Sequence, residues 1–288
     1  VALKCLPPEF AEDKDRLRRF IREAKSASAL NHPNIITIHE INEFEGTHFI
    51  ATEYIDGETL KEFTKSKTLS LHTALEIAVQ IASALDEAHS AGIIHRDVKP
   101  DNIMIRPNGL VKILDFGIAK LASDSGIGKA NFEIQGDRDA ALAKPAARRP
   151  QAVFPDPQAT HPGVIIGTAN YMSPEQAEGK AVDTRSDIFS FGILLFEMLS
   201  GRKAFQGDTV NEVISAIVHG KPAALSDAEA PRKLRDTVEK CLRKNRKVRY
   251  QTATHLLVDL KDSQQYVESI DGSEHAFTAA SVATMWRR

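Results

Sequence analysis

Apolar positions along the chain change period several times, and each change predicts a different element. Val1-Ala2-Leu3-Lys4 opens a strand over residues 1–6, after which Leu17, Phe20, Ile21, Ala24 and Ala27 recur at helical spacing within a charge-rich stretch. The cluster Asn31-His32-Pro33-Asn34 marks a turn, and two β-rich runs at 35–44 and 47–55 are joined by Glu45-Gly46, a hairpin signal. A small sheet carrying one helix is therefore expected to end near Asp56-Gly57.

Beyond that point the pattern turns helical. Leu71, Leu75, Ala78, Ile81, Leu85 and Ala88 trace one face of a long helix. Short β runs at 103–106 and 110–114 flank the tight turn Pro107-Asn108-Gly109. Residues 187–199 are apolar nearly all round, which predicts a buried central helix, and further helices are expected near 209–218, 231–243 and 251–262. Residues 122–163 break the pattern, being rich in Ala, Pro and Gly, and read as a long mobile loop with a basic spot at Arg148-Arg149. From 263 onwards apolar periodicity fades and the chain ends Trp286-Arg287-Arg288, as a linker or the basic edge of a following segment would.

Composition removes whole classes. The chain has 288 residues, 42% of them hydrophobic and 26% charged, enough for a sizeable core. Lys plus Arg is 37 against 39 for Asp plus Glu, so no global charge draws the chain to nucleic acid or an anionic membrane. Cys5 and Cys241 make neither a disulfide framework nor a Cys-rich zinc module; two reduced, buried thiols and a cytoplasmic setting are expected. The longest apolar stretch, 188–196, falls far short of the roughly 20 residues a spanning helix needs. His39-Glu40 lacks the second His of a zinc motif, since Glu43 occupies its place, and His32 and His89 read as structural histidines.

The chemistry concentrates in His95-Arg96-Asp97-Val98-Lys99-Pro100-Asp101-Asn102, followed by Asp115-Phe116-Gly117. Two carboxylates and an amide on neighbouring loops can hold magnesium and orient a hydroxyl nucleophile. Because Mg²⁺ takes few protein oxygens and keeps room for phosphate and water, Asn102 and Asp115 make a sensible donor set, with Asp97 facing the alcohol. Lys99 can then offset charge on a transferring phosphoryl group.

Over roughly residues 1–265 the chain resembles the protein kinase family, and the order of its motifs is most similar to bacterial serine/threonine kinases of eukaryotic type. The resemblance implies an α+β, two-lobed fold: a small β-rich N-lobe over 1–56, a mainly α C-lobe over 57–265 carrying the 122–163 insertion in its activation loop, and a tail over 266–288. It implies that Lys4 grips the ATP phosphates with Glu23 as its ion-pair partner, that Glu53 and Ile55 offer hinge backbone to adenine beside the gatekeeper Thr52, and that Asn102 and Asp115 hold Mg²⁺ or Mn²⁺. By the same resemblance Glu175, in a Ser-Pro-Glu that replaces Ala-Pro-Glu, pairs with Arg249, and Asp187 braces the catalytic loop.

Lys99, with Thr168 bonding Asp97 and Lys99, implies Ser and Thr acceptors on protein substrates, with no nucleic-acid partner. Arg96 implies control by a phosphate on the activation loop, with Thr160 the preferred acceptor ahead of Ser123 and Ser125, and self-association for phosphorylation in trans. No Gly-x-Gly-x-x-Gly occurs anywhere in the chain, so the phosphate-covering loop of the family is expected upstream of Val1, residues 1–288 alone are expected to bind ATP poorly, and a membrane anchor of the full-length protein is expected beyond residue 288. The rival reading is a pseudokinase, a fold kept for binding; against it, Lys4, Asp97 and Asp115 are all present.

Overall fold

The computed structural model describes residues 1–6, 13–66, 69–116 and 169–285. The 122–163 insertion, Thr160 and Thr168 lie outside the described residues, and with them the expectations that fall there.

The first lobe is a three-stranded antiparallel sheet in the order β1 (Ala2–Cys5), β3 (Thr47–Thr52), β2 (Ile38–Phe44), with Lys4 opposite Ile50. Helix α1 (Lys14–Ser28) lays Phe20 and Ala24 against Ile50, with Leu6, Ile21, Ile38 and Ile41 around them. The expected strand over 47–55 stops at Thr52, because the Glu53 N–H turns to the Thr37 carbonyl, 2.9 Å away. A two-residue strand β4 (Glu58–Thr59) and helix α2 (Leu60–Ser66), too short for periodicity to reveal, follow.

The second lobe is built on α3 (Leu71–Ser90), α5 (Thr184–Ser200) and α8 (Ala253–Met285). Ser70 caps α3 by accepting the Thr73 N–H, and its buried face is the predicted Leu75, Ala78, Ile81, Leu85 and Ala88. Helix α5 is buried on every side, as a stretch without a polar face must be; Asp183 caps its start and Gly201, at φ 65°, closes it. Between α3 and α5 stand the hairpin β5 (Ile103–Ile105) and β6 (Val111–Ile113) and the short α4 (Pro174–Ala177), which carries a Ser173/Gln176 capping box. Helices α6 (Val210–Val218) and α7 (Arg232–Cys241) complete the lobe.

The lobes are stitched where residues 34–37 run beside β6: Ile36 N–H donates to Ile113 O at 3.0 Å, and Ile113 N–H to Asn34 O at 2.8 Å. His32 Nε2 meets Ser83 of α3 at 3.0 Å while its Nδ1 accepts the Asn34 N–H, so His32 sits as a neutral anchor with its proton affinity lowered by burial.

Two expectations are corrected. Helix α8 runs past the expected 251–262, to Met285, with Val267 buried and Ser269 and Ile270 exposed. Cys5 is exposed on the edge strand, whereas Cys241 is fully buried and burial pushes its thiol up, leaving it inert. Among the described residues no helix is long and apolar enough to cross a membrane.

Gly192 marks a close approach of α5 to α7: a Cβ there would lie 2.6 Å from Cys241 Cβ and 3.1 Å from Leu242 Cδ2. Gly192→Ala should therefore destabilise the second lobe by about 1–3 kcal/mol through overpacking. Urea unfolding checks this; a midpoint equal to that of the parent would mean that the helices yield without cost.

Candidate active site

The start of the 95–102 loop hangs on one carboxylate. Asp187, in the first turn of α5 and 1% exposed, accepts the N–H of His95 and of Arg96, each at 2.7 Å, and meets His89 Nε2 at 2.8 Å. Three donors and the helix N-terminus compensate an ion that burial would otherwise penalise heavily. Arg96 is thereby held at φ 66°, a left-handed conformation that costs a non-glycine residue and persists because its surroundings over-determine it.

His95 aims the loop. Its Nε2 donates to Leu114 O at 2.8 Å, because a carbonyl can only accept, which leaves Nδ1 to accept the Asp97 N–H at 3.2 Å. The ring packs on Phe116 with centroids 4.7 Å apart, both residues being buried. Gln176, which spacing gave no reason to single out, ties the loop to α4 by donating to Arg96 O at 2.7 Å.

Around Asp97 the side chains converge. Lys99 Nζ lies 2.8 Å from Asp97 Oδ2, and Asn102 Nδ2 donates to Asp97 O and Oδ2, both at 2.9 Å. With its amide nitrogen spent on Asp97, Asn102 keeps its oxygen for a cation. Leu114 N–H donates to Asn102 O at 2.9 Å, which brings Asp115 alongside. One amide oxygen and one carboxylate are hard donors in the small number that Mg²⁺ accepts from protein when phosphate supplies the rest, so these residues fit such an ion. Among the described residues there is no cluster of three or more His, Cys, Asp or Glu that would form an all-protein metal cage.

The ion pairs of the first lobe differ from expectation. Lys4 Nζ contacts Asp115 Oδ2 at 2.5 Å, and Glu23 faces Arg96 Nη1 at 3.6 Å, so the Lys4–Glu23 pair is not made in this conformation. The reason is placement: Asp115, at φ 52°, turns its carboxylate to the strand lysine, while the half-buried Arg96 draws Glu23. Burial raises the Glu23 carboxyl against the pull of Arg96 and Arg22. Thr52 lines a small apolar cavity with Lys4, Ala27, Ile50, Asp115 and Phe116; Glu53 and Ile55 follow it in the irregular segment after β3.

A second buried carboxylate secures the far side of the loop. Glu175 of α4 meets Arg249 Nη1 at 2.9 Å and Nη2 at 3.3 Å and accepts from Ser186 at 2.7 Å, with the Arg249 side chain fully buried. Tyr171 donates to Glu197 and lies 2.9 Å from Lys203 Nζ, its phenol pushed up by burial and so kept a donor.

With this geometry in place, comparison with known proteins is decisive: the model of the protein kinase domain matches residues 1–136 and 151–259. The chain belongs to the protein kinase family. Among its relatives are the serine/threonine-protein kinase PknB of Mycolicibacterium smegmatis, 38% identical over 90% of this chain, and PrkC of Bacillus subtilis, 36% identical over 91%. The chain spans 38% and 36% of those two proteins' lengths. The fold is also that of the crystallised PknI kinase domain of Mycobacterium tuberculosis, with a TM-score of 0.60, 24% identity, and 91% of this chain and 84% of that one covered. Kinase family membership implies ATP as phosphoryl donor, a divalent cation with it and a protein acceptor.

Burial alone would raise the Glu175 carboxyl, but the hydrogen bonds and charge of Arg249, with the Ser186 hydroxyl, outweigh it and hold the group below its ordinary 4.5. The stability this pair contributes is thus fully present above pH 4.5 and is lost as pH falls through the lower, folded value. Arg249→Met should cost about 3–5 kcal/mol at pH 7 by stranding a buried carboxylate. In urea melts the gap to the parent should narrow as the pH drops below 4.5; a gap independent of pH would show that the ion pair is not the source.

Proposed function

We propose that the protein is a serine/threonine protein kinase that moves the γ-phosphoryl group of Mg·ATP, with Mn²⁺ as a substitute, to Ser and Thr hydroxyls of other proteins. The observation that carries this reading is the convergence of Asp97, Lys99 and Asn102 on one loop, with Asp115 hydrogen-bonded into it through Leu114 and Lys4 beside Asp115. The names of relatives such as PknB and PrkC support the same acceptor class.

In the reaction the acceptor oxygen forms a bond to the γ-phosphorus as the bond to the β,γ-bridging oxygen breaks; ADP leaves and the hydroxyl proton goes to Asp97. Lys99 and Asn102 donate to the Asp97 carboxylate and orient it. Lys99, half-turned to the loop at 17% side-chain exposure, offsets the charge on the transferring group. The divalent cation, when bound, neutralises phosphate charge, and Asn102 and Asp115 would hold it. Lys4 leaves Asp115 for the α- and β-phosphates and for Glu23, so nucleotide binding requires both ion pairs of the first lobe to exchange partners.

That exchange supplies the regulation. Arg96 now engages Glu23; a phosphate on the activation loop, for which Thr160 is our assignment, brings more charge than a carboxylate, takes Arg96 and releases Glu23 to Lys4. Phosphorylation in trans requires two copies to meet, and a supply of ATP makes the cytoplasm the setting this reading expects for the catalytic unit.

Asp97→Asn should lower phosphoryl transfer about 10²–10⁴-fold, the usual contribution of a positioned acid or base, while Mg·ADP affinity is retained. Intact-mass spectrometry of the full-length protein, parent and variant, after incubation with Mg·ATP reads the transfer, and calorimetry reads the affinity. Phosphate on the parent alone is expected; equal phosphorylation of both would remove Asp97 from the mechanism, and nucleotide binding with no transfer to any Ser/Thr acceptor would favour the pseudokinase reading.

A further inference from the structure

Glu53 follows β3 directly, and its side chain is tied into both lobes at once. Its Oε1 accepts the Thr37 N–H at 2.9 Å from the first lobe and Lys112 Nζ at 2.6 Å from β6; its Oε2 accepts Arg106 Nη2 at 2.9 Å from beyond β5. The group is sheltered, with side-chain exposures of 17% for Glu53 and 8% for Lys112. Lys112 also donates to Ile35 O at 3.2 Å, in the segment that the Ile36 and Ile113 hydrogen bonds already bind to β6. Burial would raise the Glu53 carboxyl, but Lys112 and the Thr37 N–H outweigh it and keep it ionised.

This arrangement is more than is needed to join two lobes. Residues 53–55 are irregular backbone after β3, and on the kinase reading that backbone must hold still to meet a planar base. The Glu53 backbone is fixed on one side by its N–H to Thr37 O, and Thr52 Oγ1 lies 3.2 Å from its carbonyl. Its carboxylate then fixes the same residue to Lys112, three positions before Asp115. One buried ion pair thus links the adenine side of the nucleotide site to the strand that delivers its metal-side carboxylate.

We infer that Glu53 is a positioning residue for the nucleotide through its side chain, and that the Glu53–Lys112–Arg106 cluster sets affinity for ATP by holding the hinge backbone in register with Asp115. The inference rests on the kinase reading above and goes beyond it, since that reading asks of Glu53 only its backbone. Truncating the clamp should weaken nucleotide binding more than it slows transfer. Misplacement of groups remote from the reacting atoms is costly, and about a tenfold loss of affinity is the expected scale.

The test uses the intact protein and the variants Glu53→Gln, Lys112→Met and the two combined, with thermal unfolding, calorimetric affinity for Mg·ADP, and KM for ATP and kcat on a Ser/Thr peptide. Each single variant strands a buried charge or amide, so a fall in Tm is expected from both, and the double variant should recover much of it. The inference predicts that Kd for Mg·ADP and KM for ATP stay raised about tenfold in the double variant, with kcat nearly unchanged. Recovery of Kd along with Tm would reduce the cluster to a structural role and overturn the inference. A higher kcat at unchanged KM would overturn it in the opposite sense, making the cluster a restraint on lobe movement. A parent protein that binds no Mg·ADP would overturn the kinase reading itself, and this inference with it.

Discussion

A carboxylate with three donors around it, Asp187, is the constraint on which the rest of the site depends. It sits in the first turn of a helix that is buried all round, and helix and catalytic loop therefore move together or not at all. The backbone of His95 and Arg96 is fixed by it, His95 fixes the N–H of Asp97, and Asn102 fixes the Asp97 carboxylate. The chain of bonds continues through Leu114 to Asp115, so acceptor and metal-side groups share one rigid origin in the second lobe. Catalysis by positioning and charge neutralisation needs little else from the protein.

The first lobe is held less tightly, and the contrast has functional meaning. Lys4 and Asp115 form a half-exposed pair, at 49% and 32%, whereas the Glu175–Arg249 pair is almost wholly buried. Exposed pairs exchange partners at little cost; buried ones do not. A conformation with Lys4 on Asp115 and Glu23 on Arg96 is one in which the lysine we assign to the phosphates is engaged by the carboxylate we assign to the cation. On the proposed function, binding of the nucleotide and release of Glu23 are linked events.

Contiguous chemistry was legible in the sequence, and distributed chemistry was not. The segment from His95 to Asn102 declares its role because its groups must lie on one loop, and α5 is visible because a run without polar faces has to be buried. Glu175 and Arg249 could be matched only through family resemblance, being 74 positions apart. Gln176 reaching Arg96, His89 reaching Asp187 and Glu53 reaching Lys112 leave no periodic trace, since each depends on how separate elements pack. The exchange of Lys4 from Glu23 to Asp115 was equally invisible: a sequence names groups that can pair but does not choose among conformations that pair them differently. The extension of α8 was missed because periodicity reports burial and not helicity: Glu268, Ser269 and Ile270 are exposed, yet the helix continues to Met285.

The central claim is that this geometry is a nucleotide site in which Lys4 meets the phosphates. An ATP analogue carrying an acyl group on its terminal phosphate tests it most directly, because an amine beside the phosphates takes the acyl group and reports its position to peptide mass spectrometry. The account predicts acylation of Lys4, suppressed by excess Mg·ATP. Labelling confined to lysines elsewhere, unaffected by competing ATP, would contradict it.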